Sequence, residues 1–394
     1  MTKLTTPRGQ LIVLAVALVL AMSPWFTTAA VIGELRSDWQ ISTATASWLT
    51  IAVQLGFVAG AVVLAATNLA DVIPPRTLVL IGAIGAATAN AAIVVFDDPG
   101  LAIASRAVSG AFLAAVYPPA LKAISQWYVE GRGMAMGVMI GALTLGSALP
   151  HLINAVGGLA WPVTLLIASA LTIVGGGLAQ ILGRPGPHRS PTPPIDISQL
   201  WAIARDRDFQ LANLGYFGHM WELYAMWSWI AAFYGDVFRS GRVASFTAFC
   251  VIGVGAVGAW YAGTVSDRLG REVAAGRALR WSGATALVFG FLLEAPPVLL
   301  VILGLFWGFW VVADSAQFSA LVTESVDPRY VGTAVTLQLA VGFILTVFTI
   351  FLVPVVRDAH GWGWAFALLA PGPAAGAVAM ERLRQRRRLS TTVV

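Results

Sequence analysis

From about Leu11 onward the sequence is a succession of apolar runs of roughly 20 residues, each closed by a short polar turn. Wound as a helix, a run of that length crosses the roughly 30 Å hydrocarbon layer of a bilayer. Within hydrocarbon every backbone N–H and C=O needs a partner, so only helices and closed barrels cross. Barrel strands read as segments of about ten residues with alternating polarity, and the sequence shows none. The chain therefore reads as an all-α polytopic membrane protein. Its composition fits: 58% hydrophobic and 11% charged, where a soluble domain holds about 45–50% and 25%.

Twelve transmembrane helices are predicted. The first six cover 10–33, 44–69, 77–96, 100–123, 133–156 and 160–182. The second six cover 209–235, 242–265, 276–293, 298–321, 331–356 and 362–380. Between the sets, "GRPGPHRSPTPPIDISQLWAIARDRD" is rich in proline, glycine and charge. It reads as a linker with one short amphipathic helix at Ile195–Ala204. The chain thus divides into an N-terminal six-helix bundle (1–182), a linker (183–208) and a C-terminal six-helix bundle (209–394) with a basic tail.

With the N-terminus inside, 19 of the 24 Lys and Arg fall in inside loops and 4 outside, with Arg106 within a span. That bias puts the linker and both termini in the cytoplasm, in a cell (inner) membrane. The five Arg between Arg382 and Arg388 read as an anchor beside anionic lipid. The net charge of +5 and pI near 9.7 follow from these loops and imply no nucleic-acid partner. The single cysteine, Cys250, excludes an intrachain disulfide. The first run lacks a small-residue cleavage site and reads as a span rather than a removed signal.

The halves echo each other. "SDRLGRE" follows the second span of the second half, and "LADVIPPR" the second span of the first. "GRGMAMG" opens the fifth span and "RYVGTAV" the eleventh. Asp71 and Asp267 lie 196 residues apart, Gly133 and Gly332 199. Matching offsets point to an internal duplication, a plan shared by many proteins whose site lies between two membrane repeats.

At these residues the chain resembles the major facilitator superfamily. That family's signature between spans 2 and 3, repeated between 8 and 9, runs roughly Gly-x-x-x-Asp-Arg-x-Gly-Arg. Gly263, Asp267, Arg268, Gly270 and Arg271 fit it. The first copy keeps Asp71 and Arg76 but has Thr67 for the leading Gly and Pro74-Pro75 for Gly-Arg. A span 4 signature, Arg-x-x-Gln-Gly, is matched by Arg106 and Gly110, with Ser109 in the Gln place. The resemblance implies two pseudo-symmetric bundles that rock about a central site, with spans 1, 4, 7 and 10 lining it. It also implies proton coupling at Arg106 and a cytoplasmic gate made by the signature turns. In physical terms Asp267 can accept from a neighbouring helix N-terminus or an Arg, and Gly263 lets another helix approach closely. A plain solvated turn is the alternative.

Ionisable groups at membrane depth cost at least about 2.5–3.5 kcal/mol and tend to mark pathways. Arg106 cannot plausibly deprotonate, so it needs an anion, a carboxylate or water. It serves either substrate and coupling or a structural pairing. In "GYFGHMWELYAMW" of span 7, Tyr216, His219 and Glu222 share a face, and His219 is spaced to hydrogen-bond Glu222, a candidate proton relay; the alternative for His219 is packing. Asp314 and Gln317 lie one turn apart in span 10, either near the gate or at the cavity. Span 1 adds Trp25, Thr27 and Thr28, with Pro24 placed to kink it. Gln54, Asn154 and Gln338 are lesser candidates, and His151 is expected near the outer end of span 5. Trp221, Trp227, Trp307 and Trp310 are candidates for a cavity wall. No metal motif is present among the four His.

The expected function is secondary active transport of a small molecule, including a small organic anion, by proton symport. The lipid bilayer and the substrate are the expected partners of a monomer, and no cofactor beyond the proton gradient is expected. The alternative is a proton-coupled antiporter exporting drugs or metabolites. "GVMIGALTLGSALP" departs from the family's Gly-Pro-x-x-Gly-Gly export motif and disfavours it. Spans 2 and 8 lack the Arg of nitrate and nitrite porters. There is no Walker A sequence, so no P-loop motor. An embedded enzyme would need a nucleophile or metal set that the spans do not supply. A transport-inactive sensor would need a larger soluble part than the 26-residue linker.

Overall fold

The structure is a computed structural model and describes residues 3–157, 160–188, 200–327 and 330–392, every regular element of which is helical. By length and composition eight helical segments suffice to cross a bilayer. They are Thr43–Ala66 (span 2), Pro75–Phe96 (span 3), Pro99–Ser125 (span 4), Arg132–Val156 (span 5), Trp161–Leu182 (span 6), Gly241–Leu269 (span 8), Pro297–Ser325 (span 10) and Val331–Leu389. The last contains two crossings, spans 11 and 12, separated at Gly361, whose φ of 82° no helix adopts. Span 1 is broken into Pro7–Ala21, Thr27–Ala30 and Ile32–Trp39. Span 7, Arg207–Phe238, and span 9, Arg271–Phe289, complete the twelve.

Local chemistry places the ends. Thr6, Ser42, Asp98 and Asp206 each accept an N–H of the following first turn at 2.8–3.1 Å, as N-caps do. Proline sets several breaks, because it lacks the N–H of the helical ladder. Pro24 lies in the gap of span 1, as expected. Pro118 frees the Ala114 carbonyl where span 4 parts into Pro99–Leu113 and Tyr117–Ser125. Pro354 stays inside span 11, and the Ile350 carbonyl it frees accepts from Trp229 Nε1 at 2.9 Å. Span 10 breaks at Asp314, between Pro297–Ala313 and Ser315–Ser325.

Gln10 Nε2 donates to Leu182 O, and Arg386 pairs with Asp208. The ends of spans 1, 6, 7 and 12 therefore share one face, called the terminal face; the opposite one is the distal face. Within the first half, spans 2 and 4, 3 and 6, and 1 and 6 pack together; within the second, spans 7 and 12, 8 and 10, and 9 and 12 do. The halves meet along spans 5 and 8 and along spans 2 and 11. Exchanging the halves turns the first pair into the second, as the duplication requires. The distal face repeats the symmetry. Trp161 Nε1 donates to Asp38 Oδ2 at 2.8 Å, tying span 6 to the end of span 1. Trp362 Nε1 donates to Asp236 Oδ2 at 2.7 Å, tying span 12 to the end of span 7.

The basic tail after 380 is helical: span 12 continues as Pro371–Thr392. Its arginines also reach protein: Arg386 pairs with Asp208 at 2.8 Å, and Arg387 with Glu272 at 2.9 Å and Glu324 at 3.2 Å. Of the linker, a helix is described at Leu200–Arg205; the first half of the expected helix at Ile195–Ala204 lies outside the described residues.

Candidate functional site

A cavity lies between the halves and reaches the terminal face. Its wide part, about 290 Å³, is walled by spans 4, 5 and 10 and the start of span 9, with Tyr117, Arg132, Arg271, Gln317 and Glu324 in its lining. It narrows to about 50 Å³ against Thr144, Tyr216, His219, Tyr224 and Trp227. Tyr117, Ile140, Ser315 and Ser319 border both parts. Distally an aromatic plug joins the halves. Trp25 stacks on Tyr224 at 6.0 Å between centroids, Phe26 meets Trp227 edge-on at 5.7 Å, and Phe57 meets Phe343 at 4.8 Å. Such contacts bury apolar ring faces that water would otherwise have to wet.

His219 Nδ1 stands 2.8 Å from Asp314 Oδ1, both side chains almost wholly buried, and His219 Nε2 lies 3.1 Å from Ser315 Oγ. The imidazole is thus seated on the break of span 10. Glu222 is not its partner. Its oxygens accept from Trp307 Nε1 at 2.6 Å and from Ser282 Oγ at 2.8 Å, on spans 10 and 9. One helical turn puts the two side chains on neighbouring azimuths, and different helices stand there. Trp307 accordingly binds Glu222 instead of lining the cavity, and Trp221 donates to Leu368 O at 3.0 Å, in the break of span 12. Gln317 is buried and borders the wide part. Tyr216 packs between His219, Phe318 and Gly342, where a methyl group would stand 3.0 Å from its Cζ.

Arg106 differs most from expectation. It is fully buried but borders neither part of the cavity. Its guanidinium donates to Pro24 O at 2.7 Å, Leu49 O at 3.1 Å, Asn90 Oδ1 at 3.2 Å and Thr27 Oγ1 at 3.3 Å, and to Trp25 O. All are neutral oxygens. The carbonyls of Pro24 and Trp25 lie in the break of span 1, where Pro24 O also accepts from Thr27 N at 3.4 Å and Thr27 Oγ1 at 3.0 Å, so Arg106 braces that break. Trp25 and Thr28 likewise border neither part of the cavity: Trp25 is in the plug, and Thr28 Oγ1 lies 3.4 Å from Leu49 O. Span 1 is therefore absent from the described lining, while spans 5 and 11 contribute to it.

At the signature turn of the second half, spans 8 and 5 touch through glycines. A methyl group on Gly133 would stand 2.6 Å from Asp267 Oδ1 and 3.0 Å from Gly263 O. The Asp267 carboxylate thus sits over the first turn of span 5, where free N–H groups favour negative charge. Gly270 has φ 89°, a left-handed value that favours glycine. Arg268 is exposed, and Arg271 pairs with Glu324 at 2.7 Å beside the cavity. In the first copy Thr67 Oγ1 donates to Val63 O at 2.6 Å, and Arg76 begins span 3 beside Gly183. The side chain of Asp71, and Arg329, lie outside the described residues.

Sequence reading missed Tyr117, which borders both parts of the cavity. Its signal was the Tyr-Pro-Pro run, which forces a break in span 4. His151, expected near the outer end of span 5, lies in the last two turns of Arg132–Gly157 and is wholly enclosed there, which the sequence did not indicate.

The comparisons with known proteins agree with this architecture. The sequence profile described as Major Facilitator Superfamily matches residues 14–335. The chain is 24% identical over 174 residues to the MFS-type transporter pytF of Aspergillus terreus (strain NIH 2624 / FGSC A1156), covering 43% of this chain and 58% of that protein. It therefore spans less than two thirds of that relative's length. The crystal structure of the human organic anion transporter MFSD10 (TETRAN) superposes with a TM-score of 0.71 at 16% identity, covering 95% of this chain and 99% of that one; at that identity the likeness speaks for the fold. Twelve spans in two repeats, a cavity between them and a profile match over most of the length lead to one conclusion: the chain belongs to the major facilitator superfamily.

Proposed function

We propose that the chain moves a small organic anion across the cell (inner) membrane by alternating access, in symport with protons, as a monomer with both termini in the cytoplasm. The observation that carries this reading is the His219–Asp314 pair, 2.8 Å apart, with His219 on the wall of the narrow cavity and Asp314 at the break of span 10. A protonated imidazole here sets a cation against the carboxylate at the helix joint, and a neutral one does not. Proton and substrate must each prefer one state of the carrier to shift its populations, and a charge pair on a joint supplies that preference. Arg132 and Arg271 against the one carboxylate of Glu324, which Arg271 pairs with, leave the described mouth lining net positive and favour an anionic solute, and the similar human protein is described as an organic anion transporter.

The excess of Lys and Arg in the terminal-face loops supports a cytoplasmic terminal face, so the cavity opens inward. Residues 1–182 and 209–394 then rock across the span 5–8 and span 2–11 contacts, with 183–208 as linker. Gly263, Asp267, Arg268, Gly270 and Arg271 form the gate turn of one half, and Asp71 and Arg76 that of the other. The test is uptake of labelled organic anions into proteoliposomes under imposed pH gradients. Uptake accelerated by external acid supports symport. Acceleration by internal acid means antiport, and uptake indifferent to pH removes proton coupling.

A further inference from the structure

The plug above the narrow cavity has apolar ring faces but unpaired polar atoms. Trp25 and Trp227 pack on either side of Tyr224, at 6.0 and 5.6 Å, and each is 1% exposed. Neither indole N–H has an acceptor among the described residues. On span 5, Ile140, Thr144, Ser147, His151 and Asn154 recur every three or four residues and so share a face. That face begins at the cavity wall with Ile140 and Thr144. It ends where Asn154 Nδ2 donates to Ala30 O at 2.8 Å and Ser245 Oγ at 3.2 Å, drawing spans 1, 5 and 8 together. Between these points Ser147 and His151 are buried, and the Ser147 hydroxyl and both His151 ring nitrogens have no partner among the described residues. Buried polar atoms are nearly always bonded, and leaving one unbonded costs more than the bond itself gains. Two such indoles in the plug, and two such side chains on the span 5 face that runs from the cavity to Ala30, mark a place completed by something else.

The chemistry of the set points to what completes it. An indole N–H only donates, and a hydroxyl and a neutral imidazole each hold one further proton to donate. The carboxylates near the cavity are engaged elsewhere, Asp314 with His219 and Glu222 with Trp307 and Ser282. Behind Trp25 stands the Arg106 guanidinium, all of whose partners are neutral oxygens, so its field at the plug favours negative charge. Around the donors the surfaces are aromatic: Phe57, Tyr224 and Phe343 beside the two indoles.

We propose that Trp25, Trp227, Ser147 and His151 form a carboxylate-binding roof for a small acid with a flat apolar body. The acid seats there only as the plug parts, because the space beneath is about 50 Å³. The assignment rests on the transporter reading above and adds the substrate class to it.

The test is binding of radiolabelled 2-naphthoate to the purified full-length protein, with unlabelled 2-naphthamide and 2-naphthylmethylamine as competitors. The acid is expected to bind and the neutral and cationic analogues to compete weakly. W227F and H151L remove donors but keep an apolar filling. Each should weaken naphthoate binding about tenfold, the loss of one charge-assisted bond, while the melting temperature holds or rises. Wild-type affinity in both variants overturns the roof, as does a fall in melting temperature with binding intact. Equal competition by the amide or the amine overturns the substrate class. Naphthoate binding without any pH-driven uptake in the wild type leaves the roof standing and removes the coupling.

Discussion

Asp314 and His219 stand 95 residues apart in sequence and 2.8 Å apart in space, and Asp314 is the residue at which span 10 changes direction. A titratable pair on a joint links protonation to helix geometry. D314N is expected to lower uptake driven by a pH gradient about tenfold or more, within the usual range of coupling free energies, while counterflow stays within about twofold. Equal loss of counterflow would mean that Asp314 serves substrate binding or folding instead.

Arg106 fills a different role from the one its depth suggests. It donates to carbonyls in the break of span 1 and joins spans 1, 2, 3 and 4. R106A removes a donor from those oxygens and is expected to cost about 1–3 kcal/mol for a buried acceptor left unpaired. The measurement is the melting temperature in detergent. R106A with unchanged melting temperature but lost coupling would return Arg106 to the transport pathway.

Spans 5 and 8 approach through Gly133 and Gly263, so bulk there has nowhere to go. Gly133→Leu is expected to cost about 1–3 kcal/mol by overpacking and to spread the two helices at the terminal face. Spin labels on spans 5 and 8 read the spread directly. Gly177, where an added Cβ meets nothing within 4 Å, is the control and should accept alanine without effect.

The paired distal ties differ in whether a cation lies over the indole. Trp161 and Trp362 each donate to a partly exposed aspartate, and Trp362 also lies under Arg357, 5.2 Å from the ring centroid. W161F is expected to cost about 1 kcal/mol, for a bond open to solvent. W362F should cost roughly 0.5–1 kcal/mol more if the cation contributes. Equal shifts in melting temperature would show that the stacked arginine adds nothing.

Arg387 bridges Glu272 and Glu324 with its side chain about a third exposed. Its removal should therefore cost under about 1 kcal/mol, and the difference from wild type should disappear in high salt. A large, salt-insensitive loss would make the tail a packed part of the second half.

Much of the fold was readable one helix at a time. Length and hydropathy set twelve spans because hydrocarbon thickness and helix rise leave one solution. Pro24 announced the break in span 1 because a missing N–H acts locally. The spaced Asp71 and Asp267 announced a repeat, which the span 5–8 and span 2–11 contacts display in space. Periodicity also placed Tyr216, His219 and Glu222 on one side of span 7.

What only the tertiary structure decided is which neighbour each side chain meets. Periodicity reports an azimuth on one helix but not the helix that stands there. So His219 pairs with Asp314 rather than with Glu222 one turn away, and Arg106 meets backbone carbonyls rather than a carboxylate. The burial of His151 escaped for the same reason, since enclosure is contributed by other spans. In a bilayer the sequence alone determines which segments are helical, because each satisfies its own backbone. The partners of its few polar side chains depend on how twelve such helices pack, and that is a property of the assembled whole.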